Sequence, residues 1–410
     1  MNSGAIAIVG GGVFVAKLCQ ALAAHSAFVP GEIRLIARRY DRLSVIAAEC
    51  QRIVDRIAPG WKVRAVPSLA DGCAGAAAII LLLRQGGLRA RALDESFPRA
   101  FGLTGDEGLG PGGMANALRT IPALQTIAEA IARTAPEAWI LNMVAPLGVT
   151  TRCLLDFGLR AIGVCELPAV TETRLRAACR LPPTALHYAG FNHWGWFWTD
   201  SNSSAELARA SVEAGLADPE TVAVFGAIPL RYYYEAFLPG KAEALGFRRS
   251  PTRASDLIAI SERIFEAFVV RTGDALSLFG ERPTPWFDDA LIPILAALTA
   301  GGAYTGFVNA RNRCCLPMVP PDAVIELRVR LSGNVLEKCE IGTPPQGVAA
   351  FLADVGRSEE FVYRAATADK ASLQTRAIAS ALEALPLPPL RGKLQDLVNE
   401  ITRAGSVNWD

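Results

Sequence analysis

Short aliphatic runs alternate with stretches of helical periodicity over the first third of the chain. Residues 5–9 (Ala-Ile-Ala-Ile-Val) read as a buried strand, and residues 13–24 as the helix that follows it. Residues 33–36 give a second strand. Residues 43–57 give a helix in which Val45, Ile46, Ala48, Ile53, Val54 and Ile57 fall near a 3.6-residue spacing. Residues 77–83 are dominated by aliphatics, as in a parallel strand covered on both faces. Residues 115–134 predict a long helix adjusted at Pro122, and residues 139–141 open another strand. This alternation predicts an α/β fold, a Rossmann doubly wound parallel sheet.

After about residue 200 the pattern changes to longer helices with an occasional strand; residues 324–331 alternate as an antiparallel strand and residues 371–385 are helical. A chain of 410 residues exceeds one ordinary core, and no repeat, low-complexity tract or flexible linker divides it. The expectation is two closely packed domains. Residues 1–165 form a nucleotide-binding Rossmann domain, and residues 166–410 a mixed α/β domain for substrate and metal.

Composition narrows the partners. With 51% hydrophobic residues, 20% charged residues and a formal charge of +1, the chain suits a well-buried soluble enzyme and offers nothing to nucleic acid or an anionic membrane. The nine cysteines are odd in number and include no C-x-x-C pair, which points to free thiols in a reducing cytoplasm. The run at 74–83, interrupted by Gly75, falls far short of the roughly 20 residues of a membrane span. The apolar segment 5–9 runs straight into glycines without a basic leader, so it reads as a strand and not a signal peptide.

Gly10, Gly11 and Gly12, with Val13 behind them, sit where the first strand turns into the first helix. Glycine there allows a tight turn and close approach of a pyrophosphate to the helix N-terminus. Val15 and Ala16 stand where a third fingerprint glycine is usual, so a plain strand–helix turn is the competing reading. The second strand ends in Ala37-Arg38-Arg39 with no acid at its tip. Two guanidiniums suit a 2′-phosphate, and a solvated basic turn is the alternative; the cofactor is therefore NAD or NADP.

Arg84-Gln85-Gly86-Gly87, Asp94-Glu95, Gly105-Asp106-Glu107, Gly110-Pro111-Gly112-Gly113 and Arg119-Thr120-Ile121-Pro122 follow one another in order. Beyond them come Asn142, Gly163-Val164-Cys165-Glu166-Leu167-Pro168, Gly190-Phe191-Asn192-His193, Val308-Asn309 and Leu316-Pro317. In these segments the chain resembles the family 4 glycoside hydrolases, the NAD- and manganese-dependent 6-phosphoglucosidases, α-galactosidases and α-galacturonidases. The resemblance implies a Rossmann domain followed by a lactate/malate dehydrogenase-like mixed α+β C-terminal domain. It implies hydrolysis by transient oxidation at sugar carbon 3, proton removal at carbon 2, elimination and re-reduction.

The same resemblance assigns Cys165 and His193 to Mn2+ or another divalent metal, and Arg84 and Asn142 to both cofactor and substrate. Asp94, Glu95, Glu166 and Asn192 fall to the substrate, and Glu107 to catalysis. A structural ion-pair set with Arg89 and Arg91 is the competing reading for the acids of this group. A small carbohydrate would be the partner, in a homodimer or homotetramer.

Departures from the family pattern are equally visible. Glu166 follows the cysteine, where Asn, Asp or His is usual, and a carboxylate there would either add a metal ligand or repel phosphorylated or uronate substrates. The family's base is a tyrosine near Tyr-Leu-Arg-Tyr-Tyr, and Pro229 occupies its leading position here, which leaves Tyr232, Tyr233 and Tyr234 as substitutes. The Arg282–Asp289 segment lacks the usual glycines and tyrosine, and Asp288 or Asp289 offers a different base. Trp194, Trp196 and Trp198 would share one strand face, where one of them stacks on a sugar ring and core packing accounts for the other two. Two alternatives stay open: a net NAD(P)-dependent dehydrogenase on the same scaffold, and a non-catalytic cofactor or sugar sensor.

Overall fold

The structure is a computed structural model. It describes residues 4–179, 186–200, 204–247, 250–251, 253–271, 275–333, 335–388, 390 and 392–407. Six parallel strands open the chain: β1 (Ile6–Gly10), β2 (Glu32–Ile36), β3 (Lys62–Val66), β4 (Ala78–Leu82), β5 (Trp139–Asn142) and β6 (Arg160–Gly163). They lie in the spatial order 3-2-1-4-5-6, the doubly wound arrangement expected from the sequence. β1 and β4 are nearly sealed from solvent, which is why they carry only Ala, Ile, Leu, Val and one glycine. β3 is an edge strand whose alternate residues face water, so its Lys-Val-Arg-Ala-Val sequence carries no aliphatic run to betray it.

The sheet does not stop at β6. It continues through β10 (Ala303–Arg311), β11 (Val324–Ser332), β7 (His187–Phe191), β8 (Trp194–Trp198) and β9 (Ile228–Pro229), with β12 (Val335–Lys338) pairing β11. Each of these pairs antiparallel to its neighbour, beginning with Asn309 of β10 opposite Gly163 of β6. The two halves of the chain therefore share one 12-stranded sheet, and one apolar core runs through both. Among the described residues no helix is long and apolar enough to cross a membrane. All nine cysteines are free thiols.

Helices cover both faces, and two of them fix the site from behind. Gly110–Thr134 carries Pro122 inside it and packs along Leu394–Gly405. The Arg119 guanidinium of the former donates to Asp94 in helix Gly87–Ser96 at 2.5 Å and to the carbonyl of Ala404 at 2.9 Å. The three tryptophans of β8 are buried, with Trp196 and Trp198 in the aromatic interior, so the stripe is core and not an open sugar platform. Trp194 packs on Phe237 and turns one edge to a cavity.

Gly190 and Gly195 face each other across the β7–β8 hairpin, and a Cβ on Gly190 would lie 2.2 Å from the Gly195 Cα. Gly190→Ala is therefore expected to lower the unfolding free energy by about 1–3 kcal/mol in urea titrations, as overpacking does. Gly240→Ala, where an added Cβ meets open space, should shift it by less than about 1 kcal/mol.

Candidate active site

The carboxyl ends of β1, β4, β5 and β6 all point the same way, so the loops that leave them gather at one edge of the sheet. At the end of β1, Gly10, Gly11 and Gly12 take φ values of 89°, 96° and 53°. A Cβ on Gly10 would lie 2.7 Å from the Leu83 Cα, while nothing stands within 4 Å of the corresponding position on Gly12. The backbone thus bends where a side chain cannot fit and leaves open space over the last glycine. Val13 turns its side chain into the core. Arg38 and Arg39 lie between β2 and helix Tyr40–Ile57; Arg39 is mostly exposed and pairs with Asp41 at 3.4 Å.

Beside this turn is a knot of charge. Arg84 donates to Glu107 through Nε at 2.6 Å and through Nη2 at 2.9 Å, and Arg91 reaches the same carboxylate at 2.8 Å. Burial would raise the Glu107 carboxyl, but the guanidiniums of Arg84 and Arg91 override it and hold the group at about 2. Arg253 acts on Glu107 as well. Arg282 lies close to Arg253, Arg91 and Arg84; burial and then these like charges push it down to about 10. Its guanidinium also lies 5.8 Å from the ring of Phe14, so the knot reaches the glycine turn.

Glycines make the approach possible: a Cβ on Gly105 would strike the Glu95 carbonyl, and one on Gly112 the carbonyls of Asp94 and Asp106. Two expected substrate ligands become wall here. Glu95 is buried and accepts from Arg91 at 2.7 Å, and Asp94 is buried against Arg119, where burial outweighs the guanidinium and lifts the carboxyl to about 7. The ion-pair set is built with Arg84, Arg91 and Arg119, and Arg89 has no part in these pairs.

Asn142 also differs from its expected place beside a ligand. Its fully buried amide donates to Thr150 and Thr151 at 2.9 Å each and accepts from the Val144 amide at 3.1 Å. It shapes the following loop from inside, up to the cis Ala145–Pro146 bond. Asn116 ties that loop to the charged one, donating to the carbonyls of Glu107 at 2.8 Å and Ala145 at 2.9 Å.

Cys165 comes two residues after β6 and Asn192 opens the turn between β7 and β8. The Asn192 side chain hydrogen-bonds the buried Cys165 thiol and also donates to Glu326 at 3.2 Å. Burial, then the nearby carboxylates of Glu326 and Glu166, push that thiol well up from its ordinary value. Glu326 is wholly buried and also accepts from Tyr188 at 2.5 Å and Asn309 at 2.9 Å. Burial raises its carboxyl to about 7 against these three donors. Glu166 is half-buried and raised, with Arg231 and Arg253 opposing the effect of burial.

His193 completes the turn in the left-handed region, at φ 67°. Its ring stacks on Tyr232, with centroids 4.1 Å apart and planes 10° from parallel. This separates the three tyrosines of helix Arg231–Phe237. Tyr233 packs edge-on against Trp196 and Phe351, and the fully buried Tyr234 accepts from the Asp218 amide at 2.9 Å. Both are core residues, which removes them as bases; Tyr232 alone of the three faces the histidine. Tyr232, Trp194, Asp106 and Glu235 line a small cavity of about 20 Å³, which shares Leu103, Thr104 and Glu235 with a second cavity of about 370 Å³.

Arg253, Tyr188 and Glu326 escaped the sequence reading. The visible signal for Glu326 was one carboxylate inside an otherwise aliphatic strand, Val-Ile-Glu-Leu. Arg253 carried none, because an arginine at a helix start is ordinary on a surface.

A doubly wound sheet with an open glycine turn, and a buried thiol reached by the asparagine that precedes a histidine, describe an α/β enzyme. Residues 5–181 match the model of family 4 glycosyl hydrolases and residues 188–381 that of the family's C-terminal domain, so the chain belongs to family 4 of the glycosyl hydrolases. A Bacillus subtilis (strain 168) protein named "Probable 6-phospho-beta-glucosidase" is 22% identical over 390 residues, spanning 89% of this chain and 87% of that protein. The Thermotoga maritima 6-phospho-beta glucosidase, solved with manganese, NAD+ and glucose-6-phosphate, has the same fold. Its TM-score is 0.79 at 22% identity, covering 98% of each chain. The lactate dehydrogenase MGS-M5, from a Medee basin deep-sea metagenome library, shares the fold more distantly, with a TM-score of 0.53 at 14% identity over 88% of this chain and 99% of that one.

The depressed Glu107 carboxyl has a consequence in acid. Between an unfolded value near 4.5 and the folded value of about 2, the unfolded chain takes up a proton that the folded one refuses. The stability this group contributes is complete above about pH 4.5 and is lost as pH falls towards 2. Glu107→Gln should abolish that share of the acid sensitivity. At neutral pH it should cost about 3 kcal/mol in urea unfolding, because Arg84 and Arg91 lose their anion.

Proposed function

We propose that the chain hydrolyses the glycosidic bond of an anionic glycoside by transient oxidation at sugar carbon 3, elimination and re-reduction. Its helpers in this reading are a nicotinamide dinucleotide and a divalent cation, Mn2+ or another. The observations that carry the reading are that the Asn192 side chain, next to His193 in the β7–β8 turn, reaches the Cys165 thiol, and that His193 itself stacks on Tyr232.

The residues fit both groups. The positive φ angles of Gly10, Gly11 and Gly12 and the open space over Gly12 suit a pyrophosphate at the N-terminus of helix Val15–Ala24. One thiolate and one imidazole suit a divalent ion. Among the described residues no set of three or more His, Cys, Asp and Glu side chains gathers to hold one. The remaining positions of the shell are left to sugar oxygens and water, as a catalytic site requires. When bound, the dinucleotide supplies a reversible hydride acceptor and the cation a Lewis acid beside the carbon 2 and carbon 3 oxygens.

The chain's own residues do the rest. Tyr232, held flat against His193, is the acceptor of the carbon 2 proton, with the Arg231 guanidinium 5.0 Å from its ring. Glu107, kept ionised by its arginines, orients a hydroxyl or a water. Arg84, Arg91, Arg253 and Arg282 still outnumber Glu107, Glu95 and Asp106 beside them, and that excess suits a phosphate or carboxylate on the sugar.

Aryl glycosides bearing a 6-phosphate or a uronate, incubated with NAD+ and Mn2+, should release aglycone with no net growth of reduced cofactor. Stoichiometric reduced cofactor would instead mark a dehydrogenase. Cys165→Ser and His193→Ala should each abolish release, and Tyr232→Phe should lower kcat by roughly 10²–10⁴. Tyr232→Phe should also suppress solvent deuterium uptake at sugar carbon 2.

Arg39 follows the tip of β2, the strand beside β1, where a dinucleotide fold usually receives the adenosine ribose. Arg39→Ala is expected to weaken NADP+ about tenfold, the worth of one charged hydrogen bond, and to leave NAD+ unchanged. Equal losses for the two dinucleotides in a fluorescence titration would refute a 2′-phosphate contact.

A further inference from the structure

Four strands meet along one row of the sheet near the metal pair. Gly163 of β6 stands opposite Asn309 of β10, Asn309 opposite Glu326 of β11, and Glu326 opposite Gly190 of β7. The glycines make room for polar side chains between them. A Cβ on Gly163 would lie 2.8 Å from the Asn309 Cβ, and one on Gly195 would lie 2.0 Å from the Tyr188 hydroxyl oxygen.

Asn309 and Tyr188 use that room to reach one carboxylate. Tyr188 donates to Glu326 Oε2 at 2.5 Å, and Asn309 and Asn192 donate to Oε1 at 2.9 and 3.2 Å. A wholly buried carboxylate is costly, and apolar residues of the same volume often fold as well or better. Tyr188 and Asn192 come from the strand and turn that lead to the imidazole, and Asn309 comes from the strand beside β6, which leads to the thiol. Asn192 closes the chain of contacts by bonding the Cys165 thiol and preceding His193.

We infer that Glu326 is a positioning residue for the metal pair: its carboxylate clamps the Asn192 amide against the Cys165 sulfur and so fixes the turn that presents His193. This rests on the metal reading of Cys165 and His193 given above. Glu326 touches neither sugar nor dinucleotide in this role, and it acts through Asn192. Groups that orient a metal ligand in this way typically cost 10–100-fold in metal affinity when removed.

The test uses the full chain with Mn2+ alone, followed by the loss of the free-ion paramagnetic resonance signal, and with Co2+ alone, followed by its sulfur-to-cobalt absorption band. Glu326→Leu should weaken Mn2+ about 10–100-fold and diminish the cobalt band. Glu326→Gln keeps an acceptor for both asparagines and can donate to Tyr188, so it should stay within about threefold of the parent protein. Asn192→Ala lies in a turn, removes only the bridge, and should weaken Mn2+ about tenfold; it decides the matter if Glu326→Leu does not fold.

A folded Glu326→Leu or Asn192→Ala protein with parental Mn2+ affinity and an unchanged cobalt band overturns the role of Glu326. A glutamine variant no better than leucine overturns orientation as its mechanism. A parent protein with no sulfur-to-cobalt band, together with a Cys165→Ser protein of parental Mn2+ affinity, overturns the metal assignment instead, so the two failures are distinguishable.

Discussion

Where Asn309 of β10 meets Gly163 of β6 in antiparallel register, a parallel doubly wound sheet becomes one sheet with everything that follows. A parallel strand ends at the loop edge with its helix crossing behind, so alone it brings only the first half of the chain to that edge. The antiparallel strands beyond it return residues from far along the sequence to the same place. Cys165 arrives from β6, Asn192 and His193 from the β7–β8 turn, and Glu326 from β11, although 161 positions separate the first from the last. The register is held by glycines at 163, 190 and 195, each of which gives up its side chain to a neighbouring backbone or polar group. Geometry at the site is thus inherited from backbone pairing, the stiffest element available, and not from loops.

The second constraint is electrostatic. Around Glu107 the chain gathers more guanidinium charge than one carboxylate can neutralise, in surroundings partly removed from water. Such an excess disfavours the folded state unless an anion completes it. Arg91 spends part of its charge on Glu95, which moors the cluster to helix Gly87–Ser96, while Arg119 ties Asp94 of that helix to the C-terminal helix Leu394–Gly405. The acids once read as substrate ligands are the anchors that hold the cationic side chains in place.

Most of the doubly wound half was legible because its inner strands are buried on both faces and its helices on one, which writes both periods into the sequence. β1, β2, β4, β5 and the helices after β1 and β2 fall within a few residues of their expected places. β3 was missed because an edge strand is half wet, and β6 because four residues carry no period. At the candidate site, Cys165, His193 and Glu107 stand out in the sequence as parts of short motifs. The choice among Tyr232, Tyr233 and Tyr234 was not, because adjacent residues on one helical turn face different ways and only packing says which way is inward. Glu326 was hidden for a related reason: in an aliphatic strand a carboxylate looks like an outward residue until its partners on three other elements are known.

The departures from the family pattern have structural replacements. Pro229 lies in β9, opposite Trp196, on the last strand of the sheet, where the missing N–H is not needed by a further neighbour. The next residue restores pairing, as the Leu230 amide donates to the Gly195 carbonyl at 2.9 Å. That bond sets the start of helix Arg231–Phe237 and therefore which tyrosine turns to His193. In the segment that lacks the usual glycines, Arg282 lies 5.5 Å from the ring of Trp286 and 5.8 Å from that of Phe14, beside the glycine turn. Loss of flexible residues there is offset by a cation set between aromatics, which stiffens the wall shared by the glycine turn and the charged knot. Asp289 of the same segment acts on Glu166, next to Cys165, so the change reaches the surroundings of the thiol as well.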